Sequence, residues 1–569
     1  MELRTQIIDA GSSGSRMHVY EWEPREFKVV PPPISMPGST NQWTHRMEPG
    51  ISSFSSNPED IPTALAPLVD FAKDILKDHE KDWGKFPIYL KATAGMRQLS
   101  YNDREAILRA VRDFLGDPKT CPFYFQFDQA RVISGEEVGF AGRQEGIYGW
   151  AAVNFLHGEL LAQSEGAGTA DSSANMTVGT LDLGGASTQI SFFKADQDIL
   201  ANLFKLQIGG QKHWNVYTHS FLQFGLNSAR LRMHTKVAEE AVEAAAAAVV
   251  AVASTHNASS SSSFSEEGPL VVVDACMPKG FNETLVSPED GKEYLVVPSG
   301  DGADFDACGK QTAKLLEAKS PADNFCEFAF PGQCSLLGTY QPELPKGREF
   351  GRFYGFAGYY KLWQFLNLPQ KTSVASIVKE GRRICTMSHE ELASYNDGRL
   401  KHEKNVKYLP KYCFMSSYIT TLLRDGFGFP TDEQITFVDE VKGYKVDWAL
   451  GSMLYEINAL PWSYVGPNFS PAVASASSTA QAANGTVAGT GTGRRRPKIV
   501  WASIVAAVVA VAAVVWGFVD RGSRRRAAGP TAGQSEETSP WRGLGGSDGG
   551  QSRLSSSQYE SISDVSPRV

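Results

Sequence analysis

Two stretches of the chain share one arrangement of apolar and polar positions. In the first, Ile7 and Ile8 run into Asp9, a Gly/Ser turn follows, and residues 16–22 (Arg-Met-His-Val-Tyr-Glu-Trp) alternate like a returning strand. In the second, residues 180–192 (Thr-Leu-Asp-Leu-Gly-Gly-Ala-Ser-Thr-Gln-Ile-Ser-Phe) again place a short apolar strand, an Asp, a Gly-rich turn with hydroxyls and an apolar strand in succession. Two copies of one device predict two related half-domains facing each other across a cleft. Elsewhere Leu65, Leu68, Val69, Ala72, Ile75 and Leu76 recur at helical spacing within 62–81, and Ile107, Leu108, Val111, Phe114 and Leu115 do so within 103–115. Residues 87–97 read as a strand entering a small-residue turn. Residues 131–134, 270–275 and 294–298 read as strands, and 150–161 as a helix after a Gly-rich turn. Strands alternate with amphipathic helices, so the fold class is α/β.

Beyond about 465 the pattern dissolves. Residues 466–498 are rich in Ser, Ala, Thr and Gly and read as a flexible stalk. Residues 499–519 carry no charge and, at about 1.5 Å per residue, are long enough to cross a hydrocarbon core as one transmembrane helix. Trp501 and Trp516 stand near its ends as interface anchors do. Residues 520–569 read as a disordered tail. Residues 236–267, with an Ala/Val run and five consecutive serines, read as a low-complexity insertion. Basic residues flank the apolar run on both sides, so charge alone does not orient it. No apolar stretch of the signal-peptide kind precedes the first strand.

Composition narrows the function. A chain of 569 residues with 42% hydrophobic and 21% charged content buries a large core in two or more domains. A formal net charge of −8 argues against a general nucleic-acid binder. Seven cysteines occur without a C-x-x-C, and six fall between 276 and 413. That distribution suits three disulfides in an oxidising lumen, most simply 276–308, 326–334 and 385–413, with Cys121 left over; seven buried free thiols are the alternative. Acceptors of the N-x-[ST] kind at Asn175, Asn257, Asn282, Asn468 and Asn484 point the same way, placing residues 1–498 in the lumen and the tail in the cytosol.

The hairpin tips carry the chemistry. Ser12, Ser13, Gly14 and Ser15 offer N–H and hydroxyl donors, which a phosphate needs, and glycine lets the backbone approach it. Asp9 at the strand end suits a hydrated divalent cation, because Mg²⁺ keeps most of its waters and takes few carboxylates. No G-K-[ST] follows, so this is not a Walker loop.

Four stretches, 8–16, 91–97, 132–150 and 181–189, together resemble the first four conserved regions of the apyrase (nucleoside triphosphate diphosphohydrolase) family. An aromatic stretch, Phe353-Tyr-Gly-Phe-Ala-Gly-Tyr-Tyr360, and Trp448-Ala-Leu-Gly451 resemble its later elements. With a C-terminal anchor, the chain is similar to the Golgi-type apyrases, which implies a single-pass Golgi membrane protein. The resemblance implies two ribonuclease-H-like lobes of the actin/hexokinase kind, here 1–141 with 440–465 and 142–439. It implies that Asp9 and Asp182 orient waters around Ca²⁺ or Mg²⁺. Ser12, Ser13, Gly14, Ser15 and Arg16 would hold phosphates, with Thr93, Ala94, Gly184, Gly185 and Ala186 on the facing walls. Ser187 and Gln189 would align the attacking water. The base would be Glu145, once an insertion at 136–142 is removed, with Glu137 as competitor. The nucleobase would stack on Tyr412, which precedes Cys413, and on Tyr360, although the fifth region's expected aromatic falls on Lys361. The implied activity is removal of the terminal phosphate from nucleoside tri- and diphosphates. A kinase of the same superfold and an inactive nucleotide-binding protein are the rival readings; oligomeric state is left open.

Overall fold

The computed structural model describes residues 3–28, 34–133, 144–160, 177–194, 199–208, 213–255, 270–286, 293–316, 325–345, 352–396, 408–457, 460 and 463–465. The chain divides into two units, Met1–Ser470 and Pro471–Val569, and all described residues fall in the first. The apolar run at 499–519 and the glutamate at 137 therefore lie outside them. Among the described residues, no helix is long and apolar enough to cross a membrane.

The first sheet has five strands in the order β3-β2-β1-β4-β5. They are β1 (Leu3–Gly11), β2 (Gly14–Trp22), β3 (Thr44–Met47), β4 (Ile88–Ala92) and β5 (Ala130–Val132). The predicted hairpin is β1–β2, antiparallel, and β4 and β5 add on in parallel. β1 is buried on both faces, and its polar residues Arg4, Thr5, Gln6 and Asp9 are buried along with Ile7, Ile8 and Ala10.

The second sheet has seven strands in the order β14-β15-β13-β6-β7-β9-β8. They are β6 (Gly179–Leu183), β7 (Ser187–Phe193), β8 (Leu203–Gln207), β9 (His213–Leu222), β13 (Phe353–Ala357), β14 (Lys371–Ser373) and β15 (Gln434–Phe437). Between β9 and β13 in the chain, β10 (Leu270–Asp274), β11 (Glu283–Val286) and β12 (Glu293–Pro298) form a separate small sheet. The run β9-β7-β6-β13-β15 repeats the first sheet's plan. Each has an antiparallel hairpin with an antiparallel neighbour on one side and two parallel strands on the other.

Helices fill the three largest cores of the described residues. α1 (Ile61–Ile75) and α2 (Tyr101–Gly116) cover the outer face of the first sheet with the leucines and valines that the spacing selects. Ser100 caps α2 by accepting from the Asp103 N–H at 3.2 Å. α3 (Gln144–His157) and the late helix α7 (Trp448–Glu456) make the central core, in which residues of both sheets meet. α3 begins at Gln144, not near 150 as the pattern predicts. Gly146 and Gly149 read as a turn, yet they are helical: Gly146 packs on Thr218 and Ser191, and Gly149 on Phe356. Around the second sheet stand α4 (Leu226–Thr255), α5 (Gly358–Leu366) and α6 (Tyr412–Thr421). The first part of the expected insertion at 236–267 simply continues α4.

The cysteines pair as 276–308, 326–334 and 385–413, and Cys121 is free and buried. The simplest sequence pairing is the one formed.

Candidate active site

The two hairpins deliver their acids in equivalent registers. Asp9 pairs with Arg16 across its hairpin and Asp182 with Gln189 across the other. Each strand then gives way to a tight turn. In the second, the Gly184 N–H donates to the Ser187 carbonyl at 2.9 Å, and the first turn of α4 folds onto it: the Leu226 and Asn227 N–H groups donate to the Gly184 and Gly185 carbonyls, each at 2.9 Å. The tips meet. A Cβ on Gly185 would stand 2.8 Å from Ser12 Oγ, so a larger residue would have to push that hydroxyl aside.

A cavity of about 250 Å³ opens between the tips. Asp9, Ser12, Ser13, Gly14 and Arg16 line it from the first hairpin, with Thr93 and Ala94 beside them. Asp182, Gly184, Gly185, Ala186 and Ser187 line the opposite wall, and Glu145 and Tyr360 also face it. Gln189 stands one layer back, where its Nε2 donates to Ser187 Oγ at 2.7 Å. Ser15 is buried and is not among the lining residues. Tyr412 is not brought to the cavity either: it is buried in the second core, its ring stacked on Phe365 with centroids 3.5 Å apart. An aromatic beside a disulfide cysteine reads the same in sequence whether it forms a wall or a core. Tyr408 does line the cavity, with Lys361 Nζ 5.2 Å from its ring centroid, and Tyr360 packs on Trp363 at 5.1 Å.

Electrostatically the cavity is short of positive charge. Burial pushes the Asp9 carboxyl up to about 7, with Asp447 and Glu145 adding to the rise and Arg16 opposing it. Burial, followed by Glu145, Asp9 and Asp447, raises Asp182 well above the carboxylate range. Asp9 Oδ1 is buried with no hydrogen-bond partner among the described residues. An orphaned carboxylate oxygen among acids that cannot all ionise fits a divalent cation. Among the described residues, no group of three or more His, Cys, Asp or Glu side chains is placed to hold a metal ion. Two acids at the cavity suit an ion that keeps most of its waters and takes few carboxylates.

The family comparison decides the class. The profile of the GDA1/CD39 (nucleoside phosphatase) family matches residues 5–475. The chain belongs to the GDA1/CD39 family. As a member it is an enzyme that hydrolyses nucleoside phosphates. It is 27% identical over 485 residues to the Golgi apyrase of Saccharomyces cerevisiae, covering 79% of this chain and 69% of the relative. It is 27% identical over 470 residues to the nucleoside-diphosphatase mig-23 of Caenorhabditis elegans, covering 80% and 77%. To ectonucleoside triphosphate diphosphohydrolase 1 of Bos taurus it is 29% identical over 473 residues, covering 80% and 81%. Among solved structures, a nucleoside triphosphate hydrolase of Neospora caninum superposes with a TM-score of 0.51 at 15% identity, over 80% of this chain and 93% of that one, which bears on the fold alone.

In this GDA1/CD39 member the structure also adds residues that the motifs do not single out. Asp447 lines the cavity while its Oδ1 caps α7 through the Leu450 N–H at 3.1 Å, and His18 Nδ1 stands 3.5 Å from its Oδ2. Burial lowers His18 below its usual range, against the pull of Asp447. Arg46 of β3 lines the cavity and donates to Ser13 Oγ at 3.1 Å. Only Asp447 had a local signal: an N-cap acid directly before Trp448.

Proposed function

We propose that this enzyme is a cation-dependent apyrase that removes the terminal phosphate from nucleoside di- and triphosphates. The observation that carries the reading is the meeting of two acidic hairpin tips at a cavity that Glu145 and Ser187 also line. Ser12, Ser13 and Gly14 on one side and Gly184, Gly185 and Ala186 on the other would bind the phosphates through N–H and hydroxyl donors, with Arg16 and Arg46 adding charge. Phosphoryl transfer asks mainly for alignment and charge neutralisation, which such a cleft supplies. Ser187, braced by Gln189, would align the water, and Glu145 would take its proton. Asp9 and Asp182 would hold Ca²⁺ or Mg²⁺ through water; when bound, that ion neutralises phosphate charge. Tyr360 and Tyr408 would flank the base, a tolerant mode of recognition.

The two halves, 1–141 with 440–465 and 142–439, would act as ribonuclease-H-like lobes closing on the nucleotide. The yeast relative's Golgi name and the apolar run at 499–519 support a single-pass Golgi protein with a lumenal catalytic domain.

The test is phosphate release from ADP, ATP, UDP and GDP by the full chain, without any acceptor, with Ca²⁺ or Mg²⁺ and with chelator. Turnover that chelator abolishes and Glu145→Gln lowers by about 10²–10⁴-fold is expected. Full activity in Glu145→Gln, or turnover that requires an acceptor, overturns the reading.

A further inference from the structure

Arg97 ends the helical turn Ala94–Arg97 that follows β4, so its backbone belongs to the first sheet's side of the cleft. Its side chain ends among groups of the other side. Nη2 lies 2.7 Å from Glu145 Oε2, 3.3 Å from Ser187 Oγ and 3.5 Å from Ser220 Oγ. The Arg97 and Glu145 side chains are each 8% exposed. Gln189 closes the ring from behind, its Nε2 donating to Ser187 Oγ at 2.7 Å and to Ser220 Oγ at 3.0 Å.

The direction of these bonds matters. A guanidinium only donates, so Ser187 Oγ accepts from it, and it accepts from the Gln189 amide as well. The single Ser187 hydroxyl hydrogen is left to point into the cavity that Ser187 lines. Likewise Glu145 has one oxygen occupied by Arg97 and the other available to a water. Arg97 itself is not among the cavity-lining residues, and its Nε and Nη1 are buried without partners among the described residues. A buried guanidinium that satisfies one nitrogen of three is a poor device for stability. Its value lies in orientation.

We propose that Arg97 is a positioning residue that reaches across the cleft and holds the Glu145 carboxylate and the Ser187 hydroxyl from behind. Base and water-aligning hydroxyl are then correctly aimed only while the two sides of the cleft are together. This rests on the reading of Glu145 as base. It makes Arg97 a contributor to the chemical step and not to nucleotide affinity, because the phosphate donors lie on the tips.

The test is steady-state hydrolysis of ADP by the full chain, with AMPPNP binding measured alongside. Arg97→Ala should lower kcat by about 10²-fold, the scale of a misplaced reacting group, with KM and AMPPNP affinity within about threefold. Added guanidinium should restore part of kcat, which a merely structural loss would not allow. In a Glu145→Gln background the same change should cost little more, since it acts through Glu145. Arg97→Lys keeps the charge without the fork and should fall between; it carries the test if the alanine variant does not fold. Unchanged kcat, a loss confined to KM, or full additivity with Glu145→Gln overturns the proposal alone. An inactive wild type overturns the functional reading with it.

Discussion

Gly451 of α7 lies so close to Tyr148 of α3 that a Cβ at 451 would stand 1.8 Å from the Tyr148 carbonyl oxygen. The two helices of the central core touch backbone to backbone at this point. In an exposed helix, Gly→Ala would stabilise by about 1 kcal/mol. Here Gly451→Ala must push the helices apart, and a loss of about 2–4 kcal/mol is expected. A thermal melt checks the sign: a raised Tm would mean that the crossing is not as described.

Tyr408 and Tyr412 separate by substrate. Tyr412→Ala opens a hole beside Phe365 and should cost about 3–5 kcal/mol of stability, read as an early urea transition. Tyr408→Ala removes a stacking face and should raise KM for nucleotides by roughly 5–100-fold, with tripolyphosphate turnover unaffected. Equal losses on nucleotide and tripolyphosphate would exclude a base-stacking role for Tyr408.

Asp9 gives a pH dependence with a definite sign. Its folded value of about 7 lies above the ordinary 3.8, chiefly through burial. Between those values the native protein holds a proton that the unfolded chain has released, so stability falls as pH rises from about 4 to 7. The loss is at most about 4 kcal/mol. In chelator, Asp9→Asn should therefore gain on wild type as pH rises through this window, while losing hydrolysis. Paired urea titrations at pH 5 and 7.5 measure the gap; a gap that does not grow with pH refutes the assignment.

Lys91 and Glu456 form a buried pair at 2.6 Å, tying β4 to α7, and Ser452 Oγ accepts from the same ammonium at 2.7 Å. Burial pulls Lys91 down to about 8, against Glu456. Unfolding there takes up a proton, so stability rises between about pH 8 and 10.5. Glu456 keeps Arg131 at 3.1 Å if Lys91 is lost, so Lys91→Met should cost under about 1 kcal/mol. Glu456→Gln strands the ammonium and should cost about 3–5 kcal/mol. The two denaturation midpoints, compared at pH 7, decide it.

The hairpins were legible because an Asp, a Gly/Ser turn and alternating residues leave few other structures open. Their repetition announced the repeated sheet plan, and the spacing of Leu65 to Ala72 gave α1. What stayed hidden at the site has one cause. Arg46, Arg97 and Tyr408 reach the site from separate segments, and no local pattern records where a long side chain will end. The start of α3 was hidden differently: Gly146 and Gly149 weaken a helix in isolation, and only the neighbours that need their small size explain them.

The three crosslinks close spans of 32, 8 and 28 residues, one after another along the chain, and no span encloses or interleaves with its neighbour. Each thiol therefore meets its partner as the very next cysteine to leave the ribosome. Cys121, made earlier, is buried in the folded chain, where its thiol is pushed up to about 11 and is a sluggish nucleophile. With Cys121 excluded by burial, pairing each remaining cysteine with its nearest neighbour in sequence gives the native set.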